Sequence, residues 1–343
     1  MTHHHTRLVV LLVSLALGSV ACTSNTAHQT FPACDGSFDT SAPNPALPWT
    51  PNAVTLVSER LADGVFAIYD SQSATRGPQG VPLATSGGFV VGDDAVLMVE
   101  SMINRRLFCQ AVALVQAETS KPIRYVVNTS SHGDHSFGNA FLPEGVEVVQ
   151  HARTADFIAE HFEEDLAFMV ANFGDDQGLD EIVPVSADVR VSDAGWSVDL
   201  GGMEVQARYY GFGQTHGDLF VYVPAAHVLW GGNAIIAEAP ALPWLLEGGG
   251  SEARRTLSEV QSDMPADALL VPGHGRPIRP SQMSFMLGYL DALLTEVGAA
   301  VDAGLTLEET RASVTLPDYQ GYALWGWIHE QVNLPSVYGE LSD

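Results

Sequence analysis

Basic residues are scarce in this sequence. Of its 343 residues, 15 are Lys or Arg and 41 are Asp or Glu, which gives a formal net charge of −26 at pH 7. A nucleic-acid groove needs many Lys and Arg side chains to neutralise phosphates, so this composition excludes a nucleic-acid partner. The acidic surface also repels other anionic partners. The expected partner is therefore a small-molecule substrate or ligand.

Cysteine is also rare, with three residues in the chain. Cys22 follows Arg7 and the apolar run 8–21, which is too short and too early for a stable membrane span and is typical of a signal peptide. The small residues before Cys22 resemble a bacterial lipoprotein signal and predict a lipid on Cys22, while ordinary cleavage near Ala21 is the alternative. Both interpretations predict export to the periplasm or the outer surface. If Cys22 carries a lipid, this anchor is the only contact expected between the protein and a membrane.

The other two cysteines are Cys34 and Cys109. In an oxidising compartment they are expected to form a disulfide that ties the N-terminal tail to the domain. Two unpaired thiols, with Cys109 buried on a helix, are the alternative. Residues 22–53 are rich in Thr, Ser, Ala, Pro and Asn, so they predict a flexible tether after the signal peptide 1–21.

From residue 54 onward, apolar residues at strand and helix spacing alternate in two similar runs without a second linker. The pattern predicts strands at 65–69, 88–92, 95–100, 123–127, 146–149, 189–191, 196–200, 203–209, 219–223, 228–230 and 268–271. It predicts helices at 105–118, 153–173, 251–262, 281–303, 307–313 and 323–332. Many hairpins together with long helices favour two sheets packed face to face with helices outside, in a single α/β domain 54–343 that ends in a helical extension.

The stretch from Asn128 to His135 is the first candidate site. Directly after the predicted strand 123–127, it places His132, Asp134 and His135 within four residues. A strand end followed by a Gly-containing turn holds such side chains on one side of a rigid support. Imidazoles with a carboxylate are a zinc-type ligand set, although a surface loop with the same residues remains an alternative at this point.

Three later loops lie next to predicted strands and are rich in Gly and polar residues. They cover residues 211–218, 231–233 and 272–275. Glycine lets the backbone bend tightly and approach a ligand closely. Residues 132–135 form a His-Gly-Asp-His turn. The three loops are therefore candidates for supplying the remaining residues of a site that includes this turn.

The order of these motifs over residues 54–280 resembles that of the metallo-β-lactamase superfamily. That family has an αββα sandwich and a signature H-x-H-x-D-H, followed by G-x-x-H-T, G-D and G-H loops. Here the corresponding runs read Ser-Ser-His-Gly-Asp-His, Gly-Phe-Gly-Gln-Thr, Gly-Asn and Gly-His. Four metal-binding positions are retained, namely His132, Asp134, His135 and His274. Three ligand positions are altered, namely Ser130, Gln214 and Asn233.

The resemblance implies that only one of the family's two metal-binding positions keeps its ligands. One of the family's two metals takes the positions of Ser130, His132 and Gln214, where neutral Ser and Gln are poor zinc donors, so this position is expected to be weak or empty. The other takes Asp134, His135 and His274, which matches a catalytic three-ligand zinc set with an open position. One zinc ion is therefore expected rather than two, with another divalent metal as the alternative.

The resemblance also implies catalytic roles. Either Asp134 or His132, which is released from metal binding, is expected to take a proton from water. Hydrogen bonds to the oxyanion are expected from Asn233, Gln214 or Ser130. His216, two residues after Gln214, is expected in the loop or behind the ligands, with replacement of the lost imidazole as the alternative. The predicted function is a metal-dependent hydrolase of an ester, lactone, thioester or amide. The alternative is a catalytically silent, surface-tethered binding protein.

Overall fold

The computed structural model describes Met1 and residues 29–342. Apart from Met1, the predicted signal peptide 1–21 lies outside the described residues, as do the predicted lipidation site Cys22 and the first part of the predicted tether.

The strands form two mixed sheets in the described part of the chain. The first sheet has the order β1-β2-β3-β4-β5-β6-β7, antiparallel as far as β4 and parallel from β4 to β7. Its strands are β1 Leu56–Ala62, β2 Val65–Asp70, β3 Gly87–Val91, β4 Val96–Val99, β5 Ile123–Val127, β6 Glu147–His151 and β7 Val189–Val191.

The second sheet has the order β12-β11-β10-β9-β8, in which only β11 and β12 pair in parallel among the described strands. Its strands are β8 Trp196–Asp199, β9 Glu204–Arg208, β10 Phe220–Val223, β11 Val228–Gly232 and β12 Leu269–Pro272.

Helices cover the outer faces of both sheets. They are α1 Ser73–Arg76, α2 Arg105–Glu118, α3 Gly133–Ser136, α4 Ala152–Phe173, α5 Gly250–Asp263, α6 Ser284–Asp302, α7 Leu307–Ser313, α8 Trp325–Trp327 and α9 Leu334–Ser342, with a π-helix Ile328–Asn333 between the last two. By length and hydropathy, Pro280–Asp302 is the one described helix that could cross a membrane. Its face of Leu290, Leu293 and Val297 is buried in the core, which is typical of an internal helix.

Three apolar clusters define four layers. One lies between the sheets, where Leu97 and Val127 of the first sheet meet Val221 and Trp230 of the second. Another joins the first sheet to α2 and α4, and the third joins the second sheet to α5, α6 and α9. The central strands β2, β3, β4, β10 and β11 are buried on both faces and are therefore almost wholly apolar. The predicted αββα sandwich is confirmed.

Two elements differ from the sequence prediction. Strand β1 was not predicted because it is an edge strand with the polar run Ser58, Glu59 and Arg60 at its centre, of which Glu59 and Arg60 are exposed, so its apolar signal is weak. The helix predicted at 323–332 is divided into α8 and the π-helix, and the chain continues as α9. Pro335 suggests a helix stop, but it occupies the first turn of α9, where proline is tolerated.

Residues 29–53, which belong to the predicted tether, lie against the domain. A disulfide joins Cys34 to Cys109 on α2. Phe31 and Trp49 are buried, and the Trp49 ring lies 4.6 Å from the ring of Phe173 on α4. Burial of two large aromatic side chains, each contributing about 1.5–3 kcal/mol, holds a segment whose composition alone suggests a flexible chain.

Candidate metal centre

The residues of the candidate site gather where the carboxyl ends of β4, β5, β11 and β12 meet. Glu100 follows β4, and the His-Gly-Asp-His turn follows β5 after four intervening residues. Asn233 follows β11, and His274 follows β12 after Gly273. Because β4 and β5 run parallel, as do β11 and β12, their ends reach the same edge of each sheet.

A hydrogen-bond network built on Asn128 holds the turn in place. The Asn128 Nδ2 donates to the carbonyl oxygen of His135 at 3.0 Å, while its Oδ1 accepts from Asn139 Nδ2 and Gln150 Nε2 at 2.7 and 2.9 Å. The backbone N–H of Ser101 donates to the same His135 carbonyl at 2.9 Å. These buried bonds fix the orientation of the ligands before any ion binds.

Two glycines allow close approach at the site. A Cβ on Gly133 would lie 2.2 Å from the Phe137 ring, so a larger residue would displace the start of α3. Gly232 has φ +50°, and a Cβ there would lie 2.0 Å from Thr129 Oγ1. Glycine at these positions therefore lets the ends of β5 and β11 come together.

Three side chains converge as metal-ligand candidates. The Asp134 Oδ2 lies 3.6 Å from His135 Nε2 and also 3.6 Å from His274 Nε2. All three donor atoms lie within 4.8 Å of one another, and all three residues are buried. Neither Nε2 atom has a hydrogen-bond partner in the described part of the chain. The two nitrogens therefore face the carboxylate across a gap too wide for a hydrogen bond.

Both imidazoles are oriented from behind. His274 Nδ1 donates to the carbonyl oxygen of Leu83 at 2.9 Å, which leaves Nε2 with its lone pair directed to Asp134. His135 Nδ1 lies 3.1 Å from Glu100 Oε1. Metal-binding histidines commonly bind a carboxylate or carbonyl through the other ring nitrogen. Thr85 supports the third ligand, because its Oγ1 donates to Asp134 Oδ2 at 2.5 Å.

Glu100 is held in an uncommon conformation. Its φ is 65°, in the left-handed region that costs a non-glycine residue about 1–3 kcal/mol. Its carboxylate accepts from the Thr129 hydroxyl and backbone N–H, and its side chain is 1% exposed. The contacts with Thr129 and His135 therefore maintain a backbone geometry that the residue alone would avoid.

The charges of the cluster perturb each pKa. Burial disfavours protonation of His135, but the carboxylates of Asp134 and Glu100 outweigh it and raise its pKa to about 9. Burial alone would raise the pKa of Asp134, yet His135, His274 and the Thr85 hydroxyl lower it. Burial lowers the pKa of His274. A proton on His135 therefore balances the negative charge of the buried Asp134 and Glu100 carboxylates, as a bound metal cation would.

The donor set fits a divalent ion such as zinc. Tetrahedral ligands at about 2.0–2.1 Å from zinc lie about 3.3 Å apart, close to the two separations of 3.6 Å found here. Two buried carboxylates, Asp134 and Glu100, carry negative charge that a divalent ion would balance. The unpartnered Nε2 atoms of His135 and His274 supply the lone pairs.

The three altered positions are buried. Ser130 is 0% exposed, Gln214 1% and Asn233 2%. Neither the oxygen nor the nitrogen of the Gln214 amide has a partner among the described residues, and the same holds for Asn233 Oδ1. A buried polar group without a partner costs about 1–3 kcal/mol, so these amides favour a polar guest such as water or a substrate oxygen.

His132 stands outside the three-ligand group, although the sequence predicted it as a metal-binding residue. It begins the turn as the residue before α3, and its Nδ1 lies 3.4 Å from Asn233 Nδ2. Burial lowers the pKa of His132 to about 4, so its ring is neutral at pH 7. The structure thus pairs His132 with an amide that replaces a family ligand.

His216 does not replace the imidazole missing at Gln214. It is exposed, and its ring packs edge-on against Phe212 at 5.0 Å. Its backbone N–H donates to Glu247 Oε2 at 3.3 Å. The adjacent Asp218 accepts backbone hydrogen bonds from Gln214 and Thr215, which turns Gln214 inward and leaves His216 outward.

A cavity of about 910 Å³ opens onto the cluster. His132, Asp134 and His274 line it at the metal centre. The Trp244 ring stacks on the His274 ring at 5.8 Å with an interplanar angle of 27°. Trp244 thus forms part of the cavity wall beside the metal centre.

Sequence reasoning missed Glu100 and Thr85. For Glu100 a signal was available, since an acidic residue that ends a strand parallel to β5 shares an edge with the ligands. No local sequence pattern indicates Thr85 as a site residue. An isolated antiparallel bridge between Thr85 and His274 brings it next to Asp134.

Comparison with known proteins agrees with this geometry. Residues 80–274 match the family model described as the metallo-beta-lactamase superfamily. Among solved structures, the chain is similar to a metallo-beta-lactamase from Pontibacter korlensis, with 19% identity, a TM-score of 0.54, and coverage of 69% of this chain and 99% of that chain. It is also similar to the DIM-1 metallo-beta-lactamase exposed to ceftazidime, with 16% identity, a TM-score of 0.54, and coverage of 69% and 98%. At these identities the structural likeness establishes the fold.

Proposed function

The chain belongs to the metallo-beta-lactamase superfamily, and we propose that it is a hydrolase that uses one divalent ion, zinc, against an ester, lactone, thioester or amide. The observation that carries the proposal is the buried cluster of Asp134, His135 and His274, whose two Nε2 atoms are oriented from behind and have no partner in the described part of the chain. Three protein ligands with an open fourth position are the arrangement of catalytic zinc sites.

The metal would supply Lewis acidity, which lowers the pKa of a bound water and polarises the carbonyl oxygen of the substrate. The residues of the chain would do the rest. Asp134, His135 and His274 hold the ion, while Glu100 and the Leu83 carbonyl keep both rings aligned.

Neutral side chains at the altered positions would form hydrogen bonds with the substrate. The Gln214 amide has a free N–H donor, and such a donor would stabilise the negative charge that develops on the substrate oxygen. Ser130 and Asn233 would add polar contacts next to it. His132 is neutral at pH 7, and its Nδ1 faces the donating Nδ2 of Asn233, so the ring would hold that amide in position beside the substrate.

The first test is metal content together with turnover. Protein that begins after residue 21 is depleted with a chelator, reloaded with zinc and dialysed, and about one equivalent of zinc per chain is expected. Hydrolysis of a panel of 4-nitrophenyl esters, lactones and thioesters should disappear on depletion and return on reloading. No bound metal after reloading would overturn the proposal. Two tightly bound equivalents would refute its single-ion form.

A second candidate function is binding without turnover. The observation in its favour is that Ser130, Gln214 and Asn233 together remove three of the seven family ligands. This alternative predicts no hydrolysis of any substrate in the panel and unchanged ligand binding when His274 is replaced by alanine. Metal-dependent hydrolysis that is lost in that variant would reject it.

We also propose that the protein acts outside the cytoplasm and is anchored by a lipid on Cys22. The disulfide between Cys34 and Cys109 supports an oxidising compartment. Intact-mass spectrometry of the detergent-extracted protein is expected to find a chain that begins at Cys22 and carries the mass of attached acyl chains. A Cys22→Ala variant should then be recovered in the soluble fraction. A wild-type chain with an unmodified Cys22 would disprove the anchor.

A further inference from the structure

The cavity beside the metal centre is too large for the ligand cluster alone. Its volume of about 910 Å³ lies near the upper end of the range for small-molecule sites, about 300–1,000 Å³. Of the metal-centre residues, only His132, Asp134 and His274 line it, and the other lining residues lie outside that cluster. Most of the cavity is therefore available to a part of the bound molecule that does not react.

The walls of this cavity are mainly apolar and come from several separate parts of the chain. Four of these parts are the N-terminal segment, α4, the loop after β11 and the C-terminal region, represented by Trp49, Phe168, Met169, Trp244, Leu324 and Trp327, and the segment 70–83 with Leu83 is a fifth. Trp244 also meets Trp327 edge-on, with ring centroids 5.6 Å apart. Apolar surface of this kind gains free energy when it covers an apolar group, at about 25 cal/mol per Å².

The charged residues that line the cavity are mostly acidic. They are Asp70, Arg76, Asp134 and Glu238, with Arg76 as the one cation among the described lining residues. The Arg76 charge acts on neighbouring Asp70. The cation Arg276 is bound to Glu238 at 3.0–3.1 Å. Glu238 is therefore paired with a cation, and Asp70 lies beside Arg76. The charge of Asp134 would be balanced by the divalent ion, so the cavity away from the metal centre has little unbalanced charge and suits an uncharged group.

We propose that this site takes a molecule with a bulky apolar substituent, such as a long acyl chain, and that the cavity holds this substituent. As a statement about substrate, the inference rests on the proposed hydrolase and selects esters or lactones that carry such a substituent over short-chain ones.

Binding tests the inference without turnover. The zinc-loaded protein is titrated by calorimetry with 2-decanone and 2-hexanone, which are not hydrolysed. Each buried CH₂ contributes about 0.8 kcal/mol, so 2-decanone is expected to bind at least about tenfold more tightly than 2-hexanone.

Variants at the wall identify the cavity as the binding site. Leu324→Glu places a carboxylate at a half-buried lining position and should weaken 2-decanone binding at least about tenfold. Phe168→Glu repeats the test at a lining residue that is 43% exposed, where folding tolerates charge. Leu341→Glu is the matched control, because Leu341 is 36% exposed and lies outside the cavity lining. It should bind as the wild type does.

The outcomes separate this inference from the proposed function. Equal affinity for the two ketones, or unchanged binding in both wall variants, would overturn the inference. If 4-nitrophenyl acetate is hydrolysed in that case, the proposed hydrolysis still stands. Length-dependent binding of neutral ketones supports the inference, and if no ester is then hydrolysed, only the proposed hydrolysis fails.

Discussion

Replacing His274 with alanine is expected to remove the metal and abolish hydrolysis. The variant leaves two of three protein ligands, and the Asp134 carboxylate loses the partner that faces it at 3.6 Å. Loss of a residue that only supports a ligand costs about 10–100-fold in metal affinity or activity, so loss of the ligand itself should lower kcat/KM by more than about 100-fold. Zinc content should fall well below one equivalent when measured by atomic emission after dialysis.

The control for this prediction is His227→Ala. His227 also pairs with a carboxylate, Asp267, at 3.3 Å, but its side chain is 46% exposed. It should retain zinc and full activity. Circular dichroism and thermal unfolding of both variants would identify a folding defect. A folded His274→Ala protein that keeps its zinc and its turnover would disprove the assignment of His274 as a ligand.

Replacing Glu100 with glutamine is expected to weaken zinc binding by about 10–100-fold while the protein remains folded. The glutamine has nearly the same size and can still accept hydrogen bonds from Thr129. It lacks the negative charge that faces His135 Nδ1 at 3.1 Å. The imidazole then becomes a weaker donor through Nε2, and one of the two buried charges that a divalent ion balances is lost.

Competition with a zinc-binding dye measures this change directly. The matched control is Glu164→Gln, which removes the charge from another carboxylate–histidine pair, with His161 at 3.0 Å, on the exposed surface. That variant should bind zinc as the wild type does. An affinity of Glu100→Gln within about twofold of the wild type would show that Glu100 has only a structural role in holding Thr129.

Much of the fold could be predicted from local sequence patterns. The helix 105–118 and the strand 123–127 have the predicted bounds, because apolar spacing within a short segment depends only on neighbouring residues. The edge strand β1 and the division of the last helix were missed. In both, the deciding contacts are distant, as with Asn333, which accepts from the Leu245 N–H and donates to the Pro243 carbonyl.

The residues of the candidate site were likewise predicted only in part. The order of motifs indicated Asp134, His135 and His274, together with the altered residues Ser130, Gln214 and Asn233. It did not indicate that Glu100 and Thr85 support the ligands or that Trp244 stacks on His274. Nor did composition reveal that residues 29–53 form part of the cavity wall.

The sequence by itself determined the secondary-structure periodicity, the four-layer class and the chemical types of the ligands. Only the tertiary structure decided which groups orient those ligands and what encloses the space beside them. The physical reason is distance along the chain. The Leu83 carbonyl meets His274, 191 residues away, and Glu100 meets His135 across two parallel strands. Such contacts depend on strand pairing and layer packing, which no local pattern of residues encodes.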